Sequence, residues 1–282
     1  MGNKKKLIQK GLIHFFPQKI NTFIDLFAGS GIVSMNVKAE KYIINDIDSK
    51  LFELYCLFKN YKSDVIINSV QEYIFTFGLA QECTKRNVYR DIEKIKQYKE
   101  AYAKFRDKYN NDPDSCKLLT LMFYSFSQQM RFNNKGDFNM PCGNDCFSEN
   151  NKSYIVNGCN FFGRNNVSLS NRDFRKLKIN NLHEDDFVYI DPPYLNTTAT
   201  YNENGGWDMK DEQDLYQFCE ALIKTNIKFA MSNVFRNKGI ENTHLINWVK
   251  NNNFKVNYFD GFNYMVCGKG NAKTVEVLIM NY

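Results

Sequence analysis

The chain of 282 residues predicts an α/β fold: a doubly wound, mostly parallel Rossmann-like sheet that carries an inserted helical subdomain and ends in a C-terminal β-hairpin. Three observations lead there. Strand-like apolar runs ending in acids or glycine turns sit near both ends of the chain, and long amphipathic helical patterns without strands fill the middle. Two further strand-like runs flank Gly268 and Gly270 close to the C-terminus. The sheet domain is expected over residues 1–58 and 155–282, and the helical subdomain over 59–154.

Each element has a local reason. "TFIDLF", Thr22 to Phe27, is apolar on both faces and breaks into "AGSG", which marks a central parallel strand running into a glycine turn. "KYIIND", Lys41 to Asp46, is the second strand and ends in an acid. Behind Asp48 and Ser49, both able to cap, Leu51, Leu54, Tyr55 and Phe58 recur at helical spacing. The start of the chain therefore reads as a βαβα unit. "DIEKIKQYKEAYAKFRDKY" then places Ile92, Ile95, Tyr98, Tyr102, Phe105 and Tyr109 on one helix face, a stripe expected to be core. In the next helix Pro113 takes a first-turn position behind Asp112. "NNKGDFNMPCGND", Asn133 to Asp145, reads as an exposed turn or hairpin. Alternation resumes with the strand "DFVYID", a helix near "DEQDLYQFCEALIKTN", the strand "IKFAMSN", a helix near "NTHLINWVKNN" and the strand "FKVNYFD".

Composition narrows the function classes. With 43% apolar residues the chain can bury its own core, and no apolar stretch approaches the length of a membrane span. The basic start "MGNKKKLIQKGLIHFF" lacks the uninterrupted apolar segment of a secretory signal, so the cytoplasm is the expected compartment. A net charge of +6 favours a polyanionic partner only weakly. The eight cysteines are mostly single and lie in apolar patterns, as expected of reduced thiols. Cys142 and Cys146 are separated by three residues without a second close pair, so packed thiols are expected there and no metal is required.

Two segments carry the chemistry. In an open parallel sheet, ligands bind beyond the carboxyl ends of the strands, where "DLFAGSG" lies. Gly29 and Gly31 let backbone approach a ligand, and Asp46 follows Asp25 at about the offset at which an acid meets ribose hydroxyls. Ser34 stands where a pyrophosphate fingerprint needs its third glycine, so the loop suits a nucleoside without phosphates, such as S-adenosylmethionine. The second segment is "DFVYIDPPYL", which ends a buried strand on Asp191, Pro192, Pro193 and Tyr194. A fixed carboxylate and a carbonyl held by proline can both accept hydrogen bonds from an aromatic amine, exposing its lone pair for attack on a sulfonium methyl. Tyr194 offers a face for stacking a base rotated out of a duplex.

"GNK", "DLFAGSG", "NDID", "FSQQMRFNNKGDF", "FVYIDPPYL", Tyr201 with Asn202, "IKFAMSN" and "TVEVLIMN" occur in an order that resembles the Dam-type DNA adenine methyltransferases of the D12 class, especially those of T-even phages. The resemblance covers nearly the whole chain. It implies a class I S-adenosylmethionine-dependent methyltransferase fold and methylation of the N6 amine of an adenine flipped from duplex DNA, at a short GATC-like site or a variant of it. It also implies that the helical insertion is the target-recognition domain and allows a cognate restriction endonuclease as partner. Carried over by position, Lys4, Asp25, Phe27, Gly29, Gly31, Asp46, Asp173, Phe174 and Asp191 fall on the cofactor side, and Asp191 to Tyr194 on the catalytic motif. Lys4, Phe126, Gln129, Arg131, Asn133, Pro141, Tyr201 and Asn202 fall on DNA-facing positions. The family commonly has a basic residue after the glycine of the hairpin, whereas Asn144 and Asp145 follow Gly143 here. Methylation of RNA or of the cytosine N4 amine, and a non-catalytic DNA-binding regulator, remain alternative readings of the same residues.

Overall fold

The computed structural model describes residues 4–81, 92–179, 181–195, 206–237, 239–259 and 274–282. It divides the chain into two compact units, Ser49–Asn165 and Gly2–Asp48 with Asn166–Tyr282. The helical unit thus begins about ten residues earlier, and ends about ten later, than the pattern of helices and strands suggests.

The second unit is built on a sheet in the order β3-β2-β1-β4-β5-β8-β7. β1 (Thr22–Asp25), β2 (Lys41–Asn45), β3 (Val167–Ser170), β4 (Phe187–Ile190) and the start of β5 (Lys228–Asn237) are parallel to their neighbours. β8 (Val275–Met280) enters antiparallel between β5 and β7 (Lys255–Phe259), and β6 (Ile240–Glu241) pairs off the path with β5. The mixed α/β architecture is the one expected from a class I methyltransferase sheet. β1 and β4 lie side by side at its centre, with chain connections diverging on either side, so their carboxyl ends flank the topological switch point. All four residues of β4 are buried, as an apolar run covered on both faces requires. Val188 and Ile190 pack with Ile24, Leu215, Leu222, Phe229 and Val277 in one core.

Local chemistry sets the helix ends. α7 (Met209–Lys224) starts from Asp208, whose carboxylate accepts from Lys210 N and Asp211 N, while Asp211 reaches back to Asp208 N. α8 (Thr243–Asn251) is capped by Asn242. Two expectations need correction. Between β1 and β2 there is no full helix, only a 3₁₀ turn over Ser34–Asn36, because the connection is short and β-branched at Ile32, Val33 and Val37. A further strand, β3, precedes β4 in the chain and forms the edge of the sheet beside β2. The proposed hairpin around Gly268 and Gly270 lies outside the described residues; β8 itself pairs with β7 and β5.

The helical unit contains α2 (Ser49–Asn60), α3 (Ser63–Phe77), α4 (Ile92–Asn111), α5 (Ser115–Tyr124) and α6 (Glu149–Phe162). Tyr102, Phe105 and Tyr109 of α4 are buried in its core with Leu118, Leu121 and Phe138, so the aromatic stripe is packing. The cap of α5 is Asp114, which accepts from Cys116 N and Lys117 N, not Asp112. Pro113 therefore precedes the cap, and Asp112 instead pairs with Lys108 and Lys117. Cys56, Cys116, Cys142, Cys159 and Cys219 are free thiols. Cys146 is disulfide-bonded, a departure from the expected thiol, since single cysteine spacings carry no pairing information. Among the described residues no helix is long and apolar enough to cross a membrane, and no group of three metal-ligating side chains converges.

Candidate active site and nucleic-acid interface

Asp191 follows the last residue of β4, and two of its partners come from far along the chain. The Lys4 ammonium lies 3.1 Å from Asp191 Oδ1 and 3.1 Å from Glu276 Oε1. It also donates to the Tyr194 hydroxyl, which in turn donates to Asp191 Oδ1 at 3.0 Å. Burial raises the Asp191 carboxyl above its ordinary value, and the Lys4 charge opposes that rise. Pro192 is buried, whereas Tyr194 is half-buried. Lys4, Asp191 and Tyr194 are therefore one hydrogen-bonded cluster. Glu276, fully buried on β8, is a member that sequence reasoning misses. Its only sequence signal is a charge inside the apolar run "TVEVLIM".

At the end of the neighbouring β1, Asp25 is 1% exposed and pairs in register with Tyr189 of β4. Desolvation pushes its carboxyl up to about 7, with Asp191 and Asp46 adding to the rise; a 2.5 Å hydrogen bond from Ser34 Oγ pulls the other way. Ser34, read from sequence as a missing glycine, is thus the partner of a buried acid. Gly29 and Gly31 have φ of 53° and 68°, in the left-handed region. Among the described residues, a Cβ on Gly29 would meet nothing within 4 Å. Asp46 holds the loop by accepting from Gly29 N at 2.8 Å and Asp48 N at 3.0 Å. The Ile47 amide is a further backbone donor to the same carboxylate.

Aromatic side chains form the apolar part of this site. Phe27 packs against Phe174 and Trp207 with ring centroids 5.4 and 5.7 Å apart, and Phe174 lies 5.8 Å from Trp207. The Trp207 indole donates to buried Glu212 at 2.6 Å, fixing the ring. Trp207 is a second residue that the sequence does not single out. Asp173 caps the turn bearing Phe174 by accepting from Arg175 N at 2.9 Å, and it pairs with the Arg175 guanidinium. Arg175 also pairs with Asp211 and Asp214 of α7. The Asp173 carboxylate is thereby engaged in fixing the turn. An acid-lined glycine cradle beside an aromatic wall fits a nucleoside-bearing cofactor.

In the helical unit, α5 ends at Ser125, where the backbone turns sharply. Ser127 and Gln128 have φ of 56° and 52°, a conformation non-glycine residues rarely hold. Phe126 N donates to Pro141 O, and Gly143 N donates to Tyr124 O at 2.7 Å, tying this turn to the following segment. A Cβ at Gly143 would come within 2.7 Å of Ser125 O, so only glycine fits there. Phe126 is left 58% exposed, and Pro141 is also exposed. Arg131 Nε donates to Asn139 Oδ1 at 2.8 Å. Asn133 Oδ1 accepts from Lys135 N and Asp137 N, making Asn133 the former of the hairpin turn that Gly136 completes at φ 85°. The structure thus groups Phe126, Gln129, Arg131, Asn133 and Pro141 on one turn and hairpin, with Asn133 in a structural role. Tyr201 and Asn202 lie outside the described residues.

Comparison with known proteins shows the family. The family model of D12 class N6 adenine-specific DNA methyltransferases matches residues 1–267. The chain is 33% identical to Modification methylase StsI of Streptococcus sanguinis and 33% identical to Type II methyltransferase M.FokI of Planomicrobium okeanokoites, in each case over 100% of this chain. It spans 42% of the length of both relatives. It is also 24% identical to DNA adenine methylase of Escherichia coli strain K12, over 74% of this chain and 70% of that protein. With the sheet order, the acid after β4 and the glycine turn after β1 all in place, the chain belongs to the D12 class of N6 adenine-specific DNA methyltransferases.

Proposed function

We propose that this chain transfers a methyl group from S-adenosylmethionine to the N6 amine of an adenine turned out of double-stranded DNA. The observation that carries the reading is the partly buried Asp191 carboxylate at the end of β4, 19% exposed, followed by Pro192, Pro193 and Tyr194 and adjacent to the end of β1. When bound, the sulfonium cofactor supplies an activated methyl group. Phe27, Phe174 and Trp207 would cover its adenine, Asp46 its ribose, and the Gly29–Gly31 turn its remaining length, while Asp25 and Lys4 line the same end of the sheet.

Asp191 acts on the nucleophile. Tyr194 and Lys4 both reach Oδ1, so Oδ2 can accept a hydrogen from the substrate amine, and the Pro192 carbonyl is the second acceptor. Two acceptors make the nitrogen more tetrahedral and localise its lone pair. The carboxylate then stabilises positive charge as it develops on nitrogen. Partial desolvation of Asp191 strengthens that interaction and makes it a better acceptor for the departing proton. The Tyr194 ring stacks the extruded base.

Residues 59–154 serve as the target-recognition part in this reading, with Phe126, Gln129, Arg131 and Pro141 facing DNA together with Lys4, Tyr201 and Asn202. Arg131 suits a phosphate or guanine, whereas Asn144 and Asp145 offer no cation, which supports a variant of the GATC site. The names of the StsI and FokI relatives support a role as a modification enzyme alongside a cognate restriction endonuclease, in the cytoplasm where such DNA resides. The test is incubation with methyl-labelled S-adenosylmethionine and duplex DNA, followed by digestion to nucleosides. Label in N6-methyladenine is expected. Label in N4-methylcytosine or only in RNA overturns the substrate assignment, and no transfer to any nucleic acid overturns the reaction.

A further inference from the structure

Lys4 and Glu276 are 272 positions apart, yet their side chains meet inside the sheet unit at the catalytic carboxylate. Glu276 lies on the middle strand of the antiparallel edge, opposite Val234 of β5 and Phe259 of β7, and has no exposed surface. A buried carboxylate is costly to hold unless a cation meets it, and a hydrophobic residue would fill the same place in a strand of valine, leucine and isoleucine more cheaply. The Lys4 ammonium sits between two acids at equal distance, 3.1 Å from each. Its attraction is therefore divided. Were Glu276 neutral, the ammonium would act on Asp191 unopposed, leaving less of the Asp191 charge for an amine becoming positive.

We propose that Glu276 is a positioning residue for the methyl transfer: by anchoring and partly neutralising Lys4, it leaves the Asp191 carboxylate electrostatically available to the substrate amine. The inference rests on the reading of Asp191 given above. Among the described residues the charged or titratable groups facing Asp191 are Lys4 from the N-terminal segment, Tyr194 from the turn after β4, Asp25 from β1, Tyr189 from β4 and Glu276 from β8. Lys4 stabilises the ionised form of Asp191, whereas Glu276 acts against it. Glu276→Gln and Lys4→Met should consequently move Asp191 in opposite directions.

The experiment is a carbon-detected NMR titration of the Asp191 carboxyl in the full chain, paired with single-turnover methyl transfer to DNA. Glu276→Gln should lower the Asp191 midpoint and slow transfer on the order of tenfold or more. Lys4→Met should raise the midpoint. In the Lys4→Met background, adding Glu276→Gln should change the transfer rate little, because the path from Glu276 runs through Lys4. An unmoved midpoint in Glu276→Gln overturns the inference, as does an equal slowing with and without Lys4. If Glu276→Gln does not fold, a Lys4→Met midpoint that fails to rise overturns it instead. Absence of transfer by the wild type, with midpoints shifting as described, overturns the reaction but not the electrostatic arrangement.

Discussion

The end of β4 and the turn that follows α5 hold their candidate functional residues in opposite ways. At β4 the groups are ionisable and withdrawn from water: Glu276 is fully buried, Asp25 is 1% exposed, and Lys4 is 8% exposed. Their positions come from side chains that bond one another across the sheet. On the turn the reverse holds, with Phe126 58% exposed and the geometry set by backbone, through the left-handed Ser127 and Gln128 and the close approach of Gly143. Bond-making needs charges whose solvent has been replaced by fixed partners, because reorganising water at the moment of reaction is costly. Reading a duplex needs accessible side chains whose carrier does not bend. One region stores its order in electrostatics, and the other in chain conformation.

Substitutions can break the comparison at either end. The largest effect is expected for Asp191→Ala, which should reduce single-turnover methyl transfer by about a thousandfold or more while leaving cofactor affinity within a few-fold. Isothermal titration with the cofactor beside a quenched-flow assay separates the two. Asp25→Asn should come next, seen in stability as a function of pH. The folded carboxyl titrates at about 7 against an ordinary 3.8, so the folded state keeps a proton that the unfolded chain releases. The stability this contributes is complete below the ordinary carboxylate range and is lost as pH rises toward 7. Chemical denaturation of the wild type should show that loss between about pH 4 and 7, and the asparagine variant should lack it.

Gly143→Ala tests the backbone-built region. The added methyl group meets Ser125 O, and separating the two segments should cost about 1–3 kcal/mol by overpacking. Thermal unfolding reads the cost, and DNA affinity should fall with the turn displaced. The smallest effect is expected for Arg131→Ala, roughly tenfold in DNA affinity with a shallower dependence on salt. An unchanged salt slope would leave Arg131 with its hydrogen bonds to Asn139 as its role.

Much of the sheet unit is legible in the sequence because its strands are continuous apolar runs that end in chemically distinctive residues. "TFID" and "FVYI" announce buried strands, and Asp191 is conspicuous precisely where such a run stops. β3 is harder to see: "VSLS" is an edge strand paired only with β2, and its alternating serines resemble a loop. The cap of α5 is ambiguous because two acids flank Pro113, and only packing decides that Asp114 receives the amides. Glu276, marked only by a charge within an apolar run, and Trp207 are hard to see for another reason. Each matters through partners that chain topology, and no local pattern, brings within reach.

The route of β8 has a consequence for biosynthesis. Because β8 inserts between β5 and β7 and brings Glu276 to Lys4, two segments 272 positions apart must both be made before the cluster at Asp191 is complete. A nascent chain stalled before residue 276 would carry Asp191 and its prolines, but the Lys4 ammonium beside them would lack the Glu276 carboxylate.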